Sequence, residues 1–208
     1  QNGASEEKTS FTPMTDLLRR DYVGVNQNGE QFDAIVYAPL VGAADKDDMA
    51  TISEYLKIDA LRNLLPADVK LCWSNKSSME TSRGTFLLYA LKGNNGAATP
   101  VLDGSGITNA RAQGGQYGGF EVSMTMDSKT AIEWGNITGA NIGKSIAIVL
   151  DNYVYSAPRA NERIDGGQSS ISGNFSAQEA EDLASVLSSG KSPAPATIIY
   201  SEVVGPSL

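Results

Sequence analysis

Histidine is absent from the 208 residues. That excludes a histidine general base, a Ser-His-Asp or Cys-His arrangement, and the commonest zinc ligand. Cysteine is nearly absent: Cys72 stands alone, so no internal disulfide forms. Leu71 and Trp73 flank it, and that apolar setting predicts a buried, unreactive thiol. No apolar run reaches the ~18 residues that mark a membrane-spanning helix. Positive charge is scarce, 16 Lys and Arg against 24 Asp and Glu, for a net charge of −8. A nucleic-acid binder needs a basic face to displace counterions from phosphates, and this balance argues against one. It argues equally against docking on anionic lipid by charge. Residues 1–10 are polar, without the apolar stretch of a signal peptide. A chain without an initial Met that stops at Gly205-Pro206-Ser207-Leu208 is expected to be a fragment of a longer protein.

What is present is glycine, 21 residues of it, and patterned apolar segments. Residues 14–20 predict a short helix and 32–37 a strand. The acidic run 45–48 precedes a helical pattern and complements its N-terminus, so it reads as a cap region and not as a metal site. Ile52, Tyr55, Leu56, Ile58, Leu61, Leu64 and Leu65 give helical spacing over two short helices ended by Pro66. Strands are predicted over 69–73 and 86–91, and 93–100 is linker-like. Beyond it, 120–126 (FEVSMTM) alternates as a half-buried strand does. A helix over 128–138 follows, capped by Asp127 or Ser128, then a core strand over 145–150. Asp151-Asn152 forms a two-residue turn into 153–156, and Asp165-Gly166-Gly167 is another turn. Ser176 and Glu179 form a capping box. The helix it opens carries Ala180, Leu183, Ala184 and Leu187 on one stripe and stops at Gly190. A last strand covers 197–204. Interleaved helices and short turns predict an α+β fold with mostly antiparallel sheets.

Two glycine-rich segments invite a phosphate-binding reading. Gly139-Ala140-Asn141-Ile142-Gly143-Lys144-Ser145 has one residue too few between its first Gly and the Gly-Lys-Ser. It also runs helix, loop, strand, so no helix N-terminus faces a phosphate. Gly114-Gly115-Gln116-Tyr117-Gly118-Gly119 lacks dinucleotide spacing and precedes a strand. The 24 carboxylates contain no pair singled out by spacing for hydrolysis. The residues alone therefore point to an acidic α+β domain with no catalytic, cofactor or metal residues.

Several segments in fixed order then carry a resemblance. They are Ala147-Ile148-Val149-Leu150-Asp151 with Tyr153-Val154-Tyr155-Ser156-Ala157-Pro158, and Gly166-Gly167 with Ile171-Ser172-Gly173-Asn174-Phe175. Glu179-Ala180, Leu183-Ala184, Leu187 and Ser189-Gly190-Lys191-Ser192-Pro193-Ala194-Pro195 follow, then Val204-Gly205-Pro206-Ser207-Leu208. Ile107-Thr108-Asn109-Ala110 fits as well. Together they resemble the large extracytoplasmic domain of the SecD family, accessory membrane proteins of bacterial Sec export. Asn152 stands where Gly is usual and Ser192 where Leu is usual. Residues 1–98 match poorly and look like the longer version in fused SecD–SecF proteins.

The resemblance implies a ferredoxin-like base, residues 1–98 and 174–208, with an inserted α+β head, 99–173. It implies no enzyme activity and no cofactor. The expected role is to hold and release unfolded translocating polypeptide, coupled in the full-length protein to the proton-motive force. The expected partners are that polypeptide, the Sec translocon channel and a SecF-type partner. The expected place is the periplasmic side of the inner membrane, anchored by flanking helices. A passive scaffold docking other membrane or periplasmic proteins is the rival. Gly96, Ser172 and Gly173 are candidate hinges. Tyr117, Met124, Met126, Tyr153 and Tyr155 are candidates for an adaptable polypeptide-binding surface.

Overall fold

The computed structural model describes residues 13–20, 23–25, 31–33, 39–77, 84–94, 96–115, 118–189 and 197–201. The fold is mixed α+β. A short helix, α1 (Pro13–Leu17), is followed by β1 (Val23–Val25) and β2 (Gln31–Asp33), which pair with each other. Of the strand predicted over 32–37, residues 34–37 lie outside the described residues. Then come β3 (Leu40–Asp45), α2 (Met49–Leu56), α3 (Asp59–Arg62), β4 (Val69–Ser74) and β5 (Thr85–Lys92). β6 (Ile107–Gly114), β7 (Phe120–Met126) and α4 (Ser128–Ala140) follow. The rest is β8 (Ser145–Leu150), β9 (Tyr153–Ser156), β10 (Gln168–Phe175), α5 (Ala177–Ser189) and β11 (Thr197–Ser201).

Two larger sheets organise these elements. The first has the order β10-β7-β6, antiparallel throughout. The second has the order β11-β8-β9-β4-β5-β3, and β11 also reaches β5 through Tyr200 and Lys92. Among the described strands, β4 and β9 alone run parallel, over Trp73↔Tyr153 and Ser74↔Val154. Mostly antiparallel sheets are what short turns allow.

β8 is apolar at five consecutive positions because both of its faces are buried. Ile146, Ile148 and Leu150 enter the largest core, with Val122, Met124 and Met126 of β7, Trp134 and Ile137 of α4, and Leu183 and Leu187 of α5. Ala147 and Val149 face the other way, into a smaller core with Cys72, Leu91 and Val154. A third core sets Leu18 and Ile52 against Trp73 and Leu88, and Trp73 Nε1 donates to Ser53 Oγ at 3.0 Å to tie α2 to β4.

One expectation is corrected. The helical stripe over 52–65 does not continue into α3: Leu64 is 78% exposed, and Ile58 and Leu65 are exposed too. Four helical residues cannot project a full apolar face onto the core. The six-stranded sheet draws strands from all three of the segments 1–98, 99–173 and 174–208. β8 and β9, from the middle segment, belong to the six-stranded sheet. α5, from the last, packs on β6 and β7, because its stripe of Ala180, Leu183, Ala184 and Leu187 meets their apolar side.

The glycine segment 139–145 joins α4 to β8. Gly143, at φ 83°, donates to Ala160 O at 2.7 Å. The linker-like 93–100 is a closed turn in which Asn94 N donates to Thr99 O and Ala97 N to Asn94 O, both at 3.0 Å.

Candidate functional site

β7 sorts its residues by strict alternation. Val122, Met124 and Met126 point inward, and Glu121, Ser123 and Thr125 form the middle of the opposite face. Register places Arg111 opposite Ser123 and Gln113 opposite Glu121 on one side. Gln168, Ser170 and Ser172 stand opposite Thr125, Ser123 and Glu121 on the other. This outer face is entirely polar, and Gln113 Nε2 donates to Glu121 Oε1 across it at 2.6 Å. The three-stranded sheet is thus covered on one side by α5 and open on the other.

The expected binding residues divide. Met124 is 2% exposed and Met126 is buried beside it. Both are core residues, a correction to their reading as surface: β-alternation turns them toward α5, away from solvent. Tyr153 is 43% exposed at the start of β9. Tyr155 is half-buried against the large core, and burial, then Asp151 and Asp182, raise its phenol pKa. Tyr117 lies outside the described residues. Beside it, Gly115 N donates to Gly119 O at 3.0 Å, and Gly118 and Gly119 take positive φ. Phe120, 38% exposed, stands next in the chain; the alternation of 120–126 marks it as a strand residue and carries no signal of its exposure.

Of the hinge candidates, Gly96 sits at φ 73° in the turn after β5, with open space where a Cβ would point. Ser172 and Gly173 lie within β10, and Ser172 opens a register break that ends at Phe175. The junction of β10 and α5 is fastened to the larger sheet. Lys76, just past β4, pairs with Glu179 at 2.9 Å and lies 5.5 Å from the centroid of the Phe175 ring. The capping box forms, with Ser176 N donating to Glu179 Oε2 at 2.8 Å and Glu179 N to Ser176 Oγ at 3.3 Å.

The carboxylates with shifted acidity serve structure. Hydrogen bonds from Ser105, hydroxyl and backbone, lower Asp103, and the Thr130 backbone N–H lowers the α4 cap Asp127. Burial raises the Cys72 thiol, so its nucleophilic form is disfavoured. Among the described residues no group of three or more Cys, Asp or Glu is placed to hold a metal ion. None of the described helices is long and apolar enough to cross a membrane.

A family model described as the SecDF P1 head subdomain matches residues 86–194. The protein translocase subunit SecD of Rhodothermus marinus is 44% identical over 162 residues, 77% of this chain and 25% of that protein. The protein translocase subunit SecDF of Thermus thermophilus is 41% identical over 109 residues, 52% of this chain and 15% of that protein. The chain therefore spans about a quarter or less of the length of these relatives. A solved structure of a membrane component SecDF that enhances protein export is 28% identical, covers 71% of this chain and 74% of that one, and superposes with a TM-score of 0.44.

Proposed function

This chain belongs to the SecD/SecDF family of protein translocase subunits, and on that premise we propose that it holds and releases polypeptide emerging from the Sec channel on the extracytoplasmic side of the membrane. The family match over 86–194 carries the reading. In the full-length protein the cycle is driven by the proton-motive force through membrane segments outside this chain. A SecF-type unit and the translocon channel are its partners. The ferredoxin-like base belongs to the same proposal, with the six-stranded sheet as its place.

The surface supports such a role. A hold on chains of any sequence wants polar surface with a few adaptable apolar groups. The open face of β6, β7 and β10 offers the first, and exposed Phe120 and Tyr153 offer the second. Gly96 and the register break at Ser172–Gly173 remain candidate joints for the release step.

The test is photo-crosslinking in the full-length protein, from probes at Phe120 and Tyr153, to an export substrate arrested in the channel. Crosslinks to the arrested chain that vanish when export is completed are expected. Crosslinks to resident membrane proteins alone would replace the holding role with that of a scaffold. Undiminished export by a folded Gly173→Pro variant would reject the joint at that position.

A further inference from the structure

The two edges of the three-stranded sheet are treated differently. Met126 N donates to Gly167 O at 2.7 Å, and pairing continues without a break from Gln168↔Thr125 to Ser172↔Glu121. Bonded and non-bonded pairs alternate in an antiparallel ladder. Gly167 is a bonded position, so Ser169 and Ile171 are too. The N–H and C=O of Gln168, Ser170 and Ser172 then point away from β7. The same phase requires that Ala110, opposite Met124, turn its own N–H and C=O away from β7 on the far side of the sheet. It does. Ser188 Oγ accepts from Ala110 N at 2.9 Å and donates to Ala110 O at 2.8 Å.

The last turn of α5 thus closes the β6 edge at Ala110. Among the described residues nothing bonds the outward groups of Gln168, Ser170 and Ser172. Edge strands are ordinarily blunted by charge, by proline or by cover. Residues 168–175 (QSSISGNF) have neither a charge nor a proline. Their exposed side chains, Gln168, Ser170 and Ser172, are uncharged and mostly small, and select no particular neighbour.

A row of free backbone donors and acceptors is completed by one kind of partner, another backbone in extended form. A second copy of this chain would bury mostly glutamine and serine side chains there. A stable dimer needs roughly 1,200 Å² or more of interface with an apolar centre, which this edge lacks. A transient hold on a passing strand needs only the ladder. The segment 99–189 carries 5 Lys and Arg against 10 Asp and Glu, so a basic or uncharged strand is favoured over an acidic one.

We infer that the outer edge of β10, Gln168 to Ser172, takes an extended uncharged or basic polypeptide segment as an added strand. This rests on the holding role proposed above and states where and by which atoms the hold is made. Backbone recognition accounts for tolerance of sequence.

The test uses the 208-residue chain and two probes labelled with a fluorophore. One is a permanently unfolded, carboxymethylated protein. The other is a ten-residue alternating Val-Lys peptide, made also with alternate amide nitrogens methylated. Ser170→Pro removes one outward N–H where proline is tolerated, and Ser170→Lys places a charge on the edge. Circular dichroism and thermal midpoints check that both variants fold. Anisotropy titrations are expected to show both variants and the methylated peptide weaker by about tenfold, through a lost backbone donor in the proline variant, charge repulsion in the lysine variant and blocked amides in the methylated peptide. Unchanged affinity in folded variants and with methylated peptide would overturn the edge as the site while leaving the holding role intact. No binding of either probe by the unaltered chain would overturn both. Concentration-dependent dimers in sedimentation, abolished by Ser170→Lys, would overturn it in favour of self-pairing.

Discussion

At the scale of single residues, Gly106 shows a constraint that composition hides. Its carbonyl accepts from Asp127 N at 2.8 Å, which draws the backbone onto the first turn of α4. A Cβ there would run into the buried Thr130 side chain. Thr130 is β-branched and has little freedom to turn aside. Gly106→Ala is expected to cost about 1–3 kcal/mol, read as a lower urea midpoint. A change within the error of that midpoint would contradict the close approach. No reading of the sequence finds this glycine, because its neighbour lies in another element. The capping box is different: Ser176 and Glu179 declare it in three residues of spacing.

Glu179 also sets a pH dependence. The Ser176 backbone N–H, then Lys76, hold its carboxyl below the usual carboxylate range. A folded-state pKa below the unfolded value stabilises the fold above the unfolded value. That contribution is lost as pH falls through the folded value. Glu179→Gln keeps an acceptor for the cap and loses the charge facing Lys76. Urea midpoints at neutral and acid pH are expected to fall less in the variant than in the parent chain. Both groups are partly exposed, so the difference is small. An equal fall would show that Glu179 takes no part.

At the scale of elements, segments with strong local grammar were legible. β7, β8, the β8–β9 hairpin, α4 and α5 fall where alternation, caps and turn residues place them. Asp151 and Asn152 take φ of 50° and 67°, as the two-residue turn demands. β3, β6 and β10 were not legible. LVGAAD and ITNARAQG are built from small or polar residues, and QSSISGNF has only Ile171 and Phe175 to bury. Their strand character comes from the neighbours they pair with, a tertiary effect. The open sheet face was missed for the same reason. Methionine and tyrosine stood out by residue type, whereas face and edge depend on register. Ser188 is an example. It reads as a helix-end serine, yet it serves Ala110 of β6. Ser188→Ala is expected to cost about 0.5–1.5 kcal/mol and to speed hydrogen exchange at the Ala110 amide. Unchanged exchange there would remove Ser188 from the edge.

At the scale of the whole molecule, β8 joins what its neighbours separate. One face of the strand completes the core under the three-stranded sheet, and the other lines the small core of the six-stranded one. Lys76 adds a fastening between the two sheets at Glu179 and Phe175. The two tryptophans report on different cores, Trp73 with Ile52 and Leu88, Trp134 with Ile137 and Leu183. Single-tryptophan variants, Trp73→Phe and Trp134→Phe, are expected to give coincident denaturant midpoints once corrected for their own stability. A transition at Trp134 well apart from that at Trp73 would mean that the halves unfold separately.

The double commitment of β8 bears on how such a chain can diverge by descent. From Ile146 to Leu150 every side chain answers to one core or the other, so an inherited change there must be tolerated by packing before it can serve anything new. β7 answers to a core only at every second position. Glu121, Ser123 and Thr125 answer to no core, so inherited change can enter on that side of the sheet without first passing the test of packing.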